Sequence, residues 1–322
     1  MELIHEGKAK KIFSDETSEE NIIIEFTDRV TAGDGRKKKV IAGKGALTCD
    51  LTEYFMKYLS SKGIETHFVK RLEGPQIRCR KVEILPLEVV CRNLAAGSFC
   101  RRYGVKKGEE IQPPLVEFFL KDDILHDPLI SEGAAIGLGL VSEDDIAFLK
   151  SITLSVNYYL SELFMQTKLN LVDFKLEFGK TPDGSILLAD EISGDTIRVW
   201  NARKQSYDKD LFREGEGDIA KAYAFLLKTL NKVDQDKVAK RMEIVYVAVM
   251  PKDGIKNPPG EVTKKALLRL GFKDVAEVRM GKVFQIGIST PITSSILEQL
   301  ILMNLKLLSN PIAEKHHMRM QM

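Results

Sequence analysis

The chain has 322 residues, 44% of them hydrophobic, which is enough apolar material for one large core or two smaller ones and excludes a disordered or fibrous protein. With 48 Lys+Arg against 46 Asp+Glu the net charge is only +2, so no broad field invites nucleic acid or an anionic membrane, and ligands must be recognised locally. The N-terminus MELIHEGKAKKIF lacks the apolar stretch of a signal peptide, no run reaches the roughly 18 apolar residues of a membrane span, and Cys49, Cys79, Cys91 and Cys100 form no CxxC pair, so the expectation is a cytoplasmic protein with reduced thiols and neither zinc site nor disulfide framework.

In chain order, LIHEGKAKKIF predicts two short strands around Gly7, and IIIEFTD predicts a third that ends in the glycine loop TAGDG. From Lys44 to Lys62, Leu47, Leu51, Tyr54, Phe55, Tyr58 and Leu59 recur at helical spacing with Gly63 as the stop, so a helix should cover this small sheet. Strands follow near HFVKRL, IRCRKVEI and LEVVCRN. The proline-marked stretch IQPPLVEFFLKDDILHDPLI is too irregular for one element and is expected to form lining loops. Ser142 and Asp145 make a capping-box-like start for a long helix through Thr167, with Ile146, Leu149, Val156, Leu160, Leu163 and Phe164 as its apolar stripe. LVDFKLEF (171–178) is then a strand, and PDG turns the chain into ILLADEIS to complete a hairpin.

The polar stretch VDQDKVAKR (233–241) marks a change of unit, giving one domain over 1–240 and another over 241–322. In the second, MEIVYVAVM is a strand and PPGEVTKKALLRLG a helix with prolines at its start and Gly271 at its end. VAEVRM and VFQIGI flank a Gly281-Lys282 turn, SSILEQLILMNLKLL is a helix that could build a core from Ile296, Leu297, Leu300, Ile301 and Leu305, and PIAEKHHMRMQM is a last strand. The order is β-α-β-β-α-β.

Three constellations carry chemistry. In GKAKK, a glycine turn with Lys8 and Lys10 on one face of a regular strand suits phosphates, although basic clusters are also ordinary solvated faces. In CRNLAAGS, Arg92 leaves an apolar strand, small residues allow close backbone approach and Ser98 offers a hydroxyl; together they suit a phosphate monoester, or else simply turn a strand into a helix. In LVDFKLEF, Asp173, Lys175 and Glu177 alternate with apolar residues and share one face of a strand. That row is either a solvated edge or a site. If the hairpin closes, Glu177 and Asp190 converge as hard oxygen ligands for magnesium.

GKAKKIF, AGDG, PLEVVCRNLAAGS, the FFLKDD and HDP segments, LVDFKLEFG, LADEISGDTIRVW and YDKDLFR occur in an order and spacing that resemble the SAICAR synthetase family (phosphoribosylaminoimidazole-succinocarboxamide synthase) over about residues 1–230. MEIVYVAVMPKDGIKNPPGEVTKKALLRLGF and the VRMGKVFQI segment resemble PurS, a small accessory subunit of phosphoribosylformylglycinamidine synthase. The resemblance implies an α+β, ATP-grasp-like, two-lobed fold followed by a small PurS-like domain, and an ATP-dependent ligase that joins L-aspartate to carboxyaminoimidazole ribonucleotide. It assigns Asp173, Lys175 and Glu177 to catalysis, and Lys8, Lys10 and Lys121 to the ATP phosphates. Asp34, Arg92, Ser98, Asp195, Arg198 and Arg213 fall to substrate binding, and Glu177 and Asp190 to Mg2+. A homo-oligomer, and partnership of the C-terminal domain with synthetase and glutaminase subunits, are implied as well. The family often has proline where this chain has Gly194, so a looser loop is expected before Asp195. A small-molecule kinase and a nucleotide sensor with a C-terminal regulatory domain stand as alternatives.

Overall fold

The computed structural model describes residues 1–32, 37–215, 217–237, 243–288 and 294–320, which divide into two compact units, Met1–Ala239 and Lys240–Met322. The first lobe of the first unit contains β1 (Leu3–Glu6), β2 (Lys10–Ser14), β3 (Asn21–Phe26), β4 (Arg29–Ala32), β5 (Lys37–Val40), α1 (Lys44–Ser61), β6 (Phe68–Arg71) and β7 (Gln76–Arg80). Its five-stranded sheet runs β1-β2-β3-β7-β6. The expected helix covers that sheet, with Cys49 packed among Ile24, Phe26, Ile77 and Cys79. Gly45 is required at the start of α1, because a Cβ there would lie 2.7 Å from the Phe26 carbonyl oxygen. Lys8 sits in the bend before β2, so it does not share a strand face with Lys10. The pair β4 and β5, unforeseen in the sequence, flanks the glycine loop, and Asp34 in that loop lies outside the described residues.

The second lobe contains β8 (Glu83–Leu94), α2 (Gly97–Tyr103), β9 (Glu110–Leu120), β10 (Leu129–Ile130), α3 (Glu132–Gly137), α4 (Glu143–Met165), β11 (Leu169–Lys180), β12 (Ile186–Ala189), β13 (Ile197–Asn201) and α5 (Asp210–Glu214), while α6 (Ile219–Leu230) packs against α1. The sheet order is β10-β9-β8-β11-β12, and β13 pairs with the first half of β11. The expectation of loops over 111–130 is corrected here, since β9 is an 11-residue strand. Its prolines misled because their position is permissive: Pro113 and Pro114 fall where the β8–β9 register shifts, and the short β10 reaches only Phe118 and Phe119.

One face of this sheet is apolar. Phe174, Leu176 and Phe178 of β11 are buried, and α4 packs over the sheet with Ile146, Leu149, Val156, Leu160, Leu163 and Phe164 buried. The predicted capping box is complete: the Ser142 hydroxyl accepts from the Asp145 N–H, and the Asp145 carboxylate accepts from the Ser142 N–H. The opposite face is left to the charged row.

The second unit is built from β14 (Glu243–Pro251), α7 (Pro258–Arg269), β15 (Lys282–Ile288), α8 (Ser294–Met303) and β16 (Glu314–Met320), with sheet order β15-β14-β16. Val245, Val247 and Val249 form its core with Leu300, joined by Phe284, Ile286, Ile288, Ile296 and Leu308. Ile301 and Leu305, expected in that core, are exposed. Residues 275–280, expected as one arm of a hairpin, carry no strand. Their carbonyls go to side chains of α7 and its cap instead: Lys264 donates to Ala276 at 2.5 Å and Asn257 to Met280 at 2.9 Å. Among the described residues no helix is long and apolar enough to cross a membrane.

Candidate active site

The three charges of β11 lie on one face, and the register sets their partners. Asp173 stands directly opposite Arg92 on β8 and Arg198 on β13. Both guanidiniums reach the same oxygen, Arg92 Nη1 at 2.8 Å and Arg198 Nη1 at 2.7 Å from Oδ2. Arg92 is only 3% exposed and also donates from Nε to Glu117 at 2.6 Å, so it braces two carboxylates at once. Arg198 continues to Asp210 at 2.7 Å, which in turn holds Arg213 at 2.5 Å. Burial disfavours the Arg198 charge, but Asp173 and Asp210 outweigh it and hold its pKa above the ordinary arginine value.

Two residues further along β11, Lys175 donates to Glu88 and lies 3.3 Å from Glu177 Oε1. Glu88 and Glu177 are directly opposed across the strands. Such like charges repel unless a cation sits between them, and Lys175 does so. Burial works against the Lys175 ammonium, yet Glu177 and Glu88 raise its pKa well above the ordinary lysine value. Glu177 also receives Lys121 from the segment after β9.

The hairpin expected from PDG forms, with Glu177 opposite Ala189, and so brings Asp190 beside the row. Asp190 has φ 60, a left-handed backbone that few residues other than glycine adopt, and His67 Nε2 meets its carbonyl oxygen at 3.0 Å. Its carboxylate accepts from Lys10, which also lies 3.6 Å from Glu191. Burial opposes that lysine's charge, and Asp190, Glu191 and Glu177 together raise its pKa above normal. Lys8 is more remote and exposed, paired with Asp123 at 2.6 Å. Burial pushes the His67 imidazole down to about 4, leaving it neutral near pH 7.

Asp195 is the centre of a second cluster. It accepts from Lys44, receives the Tyr223 hydroxyl at 3.1 Å and lies 3.4 Å from Lys209. Burial would raise its pKa, but Lys209 and Lys44 hold it well below the usual carboxylate range. The looser loop expected from Gly194 is not found. Ser193 Oγ accepts from the Asp195 N–H at 3.1 Å and donates to Glu191 at 2.9 Å, while the Gly194 carbonyl accepts from the Lys209 N–H at 2.9 Å. Gly194 also lets the Tyr223 ring sit close, since a Cβ there would lie 2.2 Å from the ring. Ser98 is exposed in the first turn of α2, and Gly97 beside it is packed against the Arg198 guanidinium.

The structure thus gathers Asp173, Lys175, Glu177, Asp190, Arg92, Arg198, Lys10 and Lys121 along one sheet face. Glu88, Glu117, Lys44 and Lys209 take part in these clusters, and sequence reasoning missed them. Only cross-strand register or tertiary contact reveals them, apart from Lys44, whose flanking glycines in AGKGA were a usable signal. Among the described residues no three His, Cys, Asp or Glu side chains gather around one ion position. The donor set still suits Mg2+: Glu177 and Asp190 are adjacent carboxylates within the field of both Lys10 and Lys175, and this hard cation is commonly bound by one or two carboxylates plus water and phosphate oxygens.

The fold of the first unit is that of an ATP-dependent carbon–nitrogen ligase. SAICAR synthetase matches residues 3–230, and PurS, described as phosphoribosylformylglycinamidine (FGAM) synthase, matches residues 244–322. A phosphoribosylaminoimidazole-succinocarboxamide synthase of Staphylococcus aureus is 48% identical over 232 residues, spanning 71% of this chain and 98% of the relative. The crystal structure of the Ehrlichia chaffeensis synthase superposes with a TM-score of 0.70 at 38% identity, over 72% of this chain and 100% of that one. A SAICAR synthetase solved in complex with ADP gives 0.69 at 43% identity, over 71% and 98%. The chain belongs to the SAICAR synthetase family, with a PurS segment fused behind it.

Proposed function

We propose that the first unit joins L-aspartate to the carboxylate of carboxyaminoimidazole ribonucleotide at the expense of ATP, giving SAICAR, ADP and phosphate, through the face that carries Asp173, Lys175 and Glu177. The single observation behind this is the row of opposite charges held in register across β8, β11 and β13. A carboxylate is a poor acyl donor. Its oxygen attacks the γ-phosphorus of ATP and expels ADP; the aspartate amine then attacks the acyl carbon, and the bridging oxygen leaves with phosphate. Lys10, Lys121 and Lys8 neutralise the nucleotide phosphates, and Lys175 stabilises charge on the transferring group. Arg198, with Ser98 and Arg92, faces the ribonucleotide phosphate, and Asp173 orients the imidazole amine or ribose. Asp195 and Arg213 complete the substrate pocket, and the family resemblance gives Asp34 a substrate-binding role as well. Glu177 and Asp190 would hold Mg2+, which would supply charge neutralisation on the phosphates.

The ADP in a related synthetase supports the nucleotide assignment. Nothing in the comparisons favours the kinase or the sensor. The PurS segment is a non-catalytic accessory module, and we assign it self-association and the binding of synthetase and glutaminase partners. The reaction belongs in the cytoplasm, where cysteines such as buried Cys49, Cys79 and Cys91 remain thiols. An ADP-release assay tests the main claim: ADP should form with the carboxylated ribonucleotide only when aspartate is supplied. A phosphorylated product accumulating without aspartate would establish the kinase.

A further inference from the structure

Arg92 and Arg198 both donate to Oδ2 of Asp173, and Oδ1 accepts no hydrogen bond among the described residues. Nη2 of Arg92 likewise donates none among them. An arginine opposite a carboxylate ordinarily forks onto both oxygens. Arg92 does not, because its Nε is drawn the other way by Glu117 Oε2 at 2.6 Å. Glu117 is 6% exposed and its second oxygen is also occupied, by Arg102 Nη2 at 2.5 Å and the Tyr103 hydroxyl at 3.4 Å. Aromatic rings flank the two guanidiniums: that of Arg92 lies 5.5 Å from the Phe99 ring and 6.0 Å from Phe119, and that of Arg102 lies 5.5 Å from the same Phe119 ring.

Resting on the function proposed above, we infer that Glu117 and Arg102 are positioning residues for the ribonucleotide: they hold Arg92 to a single contact with Asp173 and so keep Asp173 Oδ1 and Arg92 Nη2 for the substrate. The chain Arg102–Glu117–Arg92–Asp173–Arg198 alternates in sign throughout, so each charge has a neighbour of opposite sign. Deleting the Glu117 charge leaves Asp173 as the carboxylate next to Arg92. The guanidinium then turns to fork it, and the two atoms reserved for substrate are consumed.

The test is Glu117→Gln in the full chain, with KM measured separately for ribonucleotide, ATP and aspartate, and Trp200 fluorescence melting as the control for folding. The expected result is a ribonucleotide KM raised about tenfold, the effect of one charge-assisted hydrogen bond, with the ATP KM within about twofold of the parent. Arg102→Met should shift the same constant in the same direction by less, and it carries the test if the first variant does not fold. A folded variant with all three constants unchanged, or all raised together, overturns the inference and leaves Glu117 a structural ion-pair partner. Absence of aspartate-dependent ADP formation in the parent would instead overturn the function reading.

Discussion

Lys44 is fully buried against Asp195, with side-chain exposures of 1% and 5%, and replacing it by methionine removes a charge while keeping much of the volume. Breaking a buried pair by deleting one partner costs about 3–5 kcal/mol, because the other charge is stranded. Here Asp195 retains the Tyr223 hydroxyl at 3.1 Å and Lys209 at 3.4 Å, so the lower end applies, about 3 kcal/mol. For a unit of this size that corresponds to a melting point lower by about 6–12 °C. Trp200 is the chain's one tryptophan and is 1% exposed within the first unit, so its fluorescence follows that unit without interference from the PurS segment. The double variant Lys44→Met/Asp195→Asn should recover most of the loss, since replacing both charges removes the stranded one. If the single and double variants melt together, or Lys44→Met costs under about 1 kcal/mol, the stranded-charge account of this cluster is wrong.

Further outcomes follow from the same contacts. His67 titrates near 4 in the fold against 6.5 when unfolded, so the unfolded chain takes up its proton first and stability falls as pH drops between those values, by up to about 3 kcal/mol; His67→Gln should flatten this part of the pH–stability curve. Glu177→Gln should lower turnover on the order of 100-fold while leaving the melting curve near the parent's, and a variant turning over ATP normally at limiting magnesium would remove Glu177 from the reaction. Gly45→Ala should cost about 1–3 kcal/mol in urea unfolding, because its Cβ meets the Phe26 carbonyl oxygen at 2.7 Å and backbone cannot step aside as a side chain can. A chain stopped after Arg241 should keep aspartate-dependent ADP formation per folded molecule; loss of turnover in a folded truncation would make the PurS segment integral to ligation.

Patterns local to one element were legible in the sequence. Period-two alternation in LVDFKLEF put three charges on one strand face, Ser142 and Asp145 announced the start of α4, and Gly63 marked the end of α1. What escaped depends on partners distant in the chain. Nothing in VEFF shows that Glu117 meets Arg92, because that contact is created by β8–β9 pairing. The buried position of Lys44 depends on Asp195, 151 residues away. The prolines of β9 obscured a strand because their effect depends on whether a neighbour needs their missing N–H, and the register shift there removes the need. Residues 275–280 had the composition of a strand but found their hydrogen-bond partners in the side chains of Lys264 and Asn257.

The most direct test of the central claim is the fate of a heavy-oxygen label placed in the carboxylate of the ribonucleotide. Ligation through an acyl phosphate moves one carboxylate oxygen into the released phosphate for each turnover and leaves the other in the new amide, and this should require aspartate. Released phosphate free of label, with ADP still forming, would contradict the account.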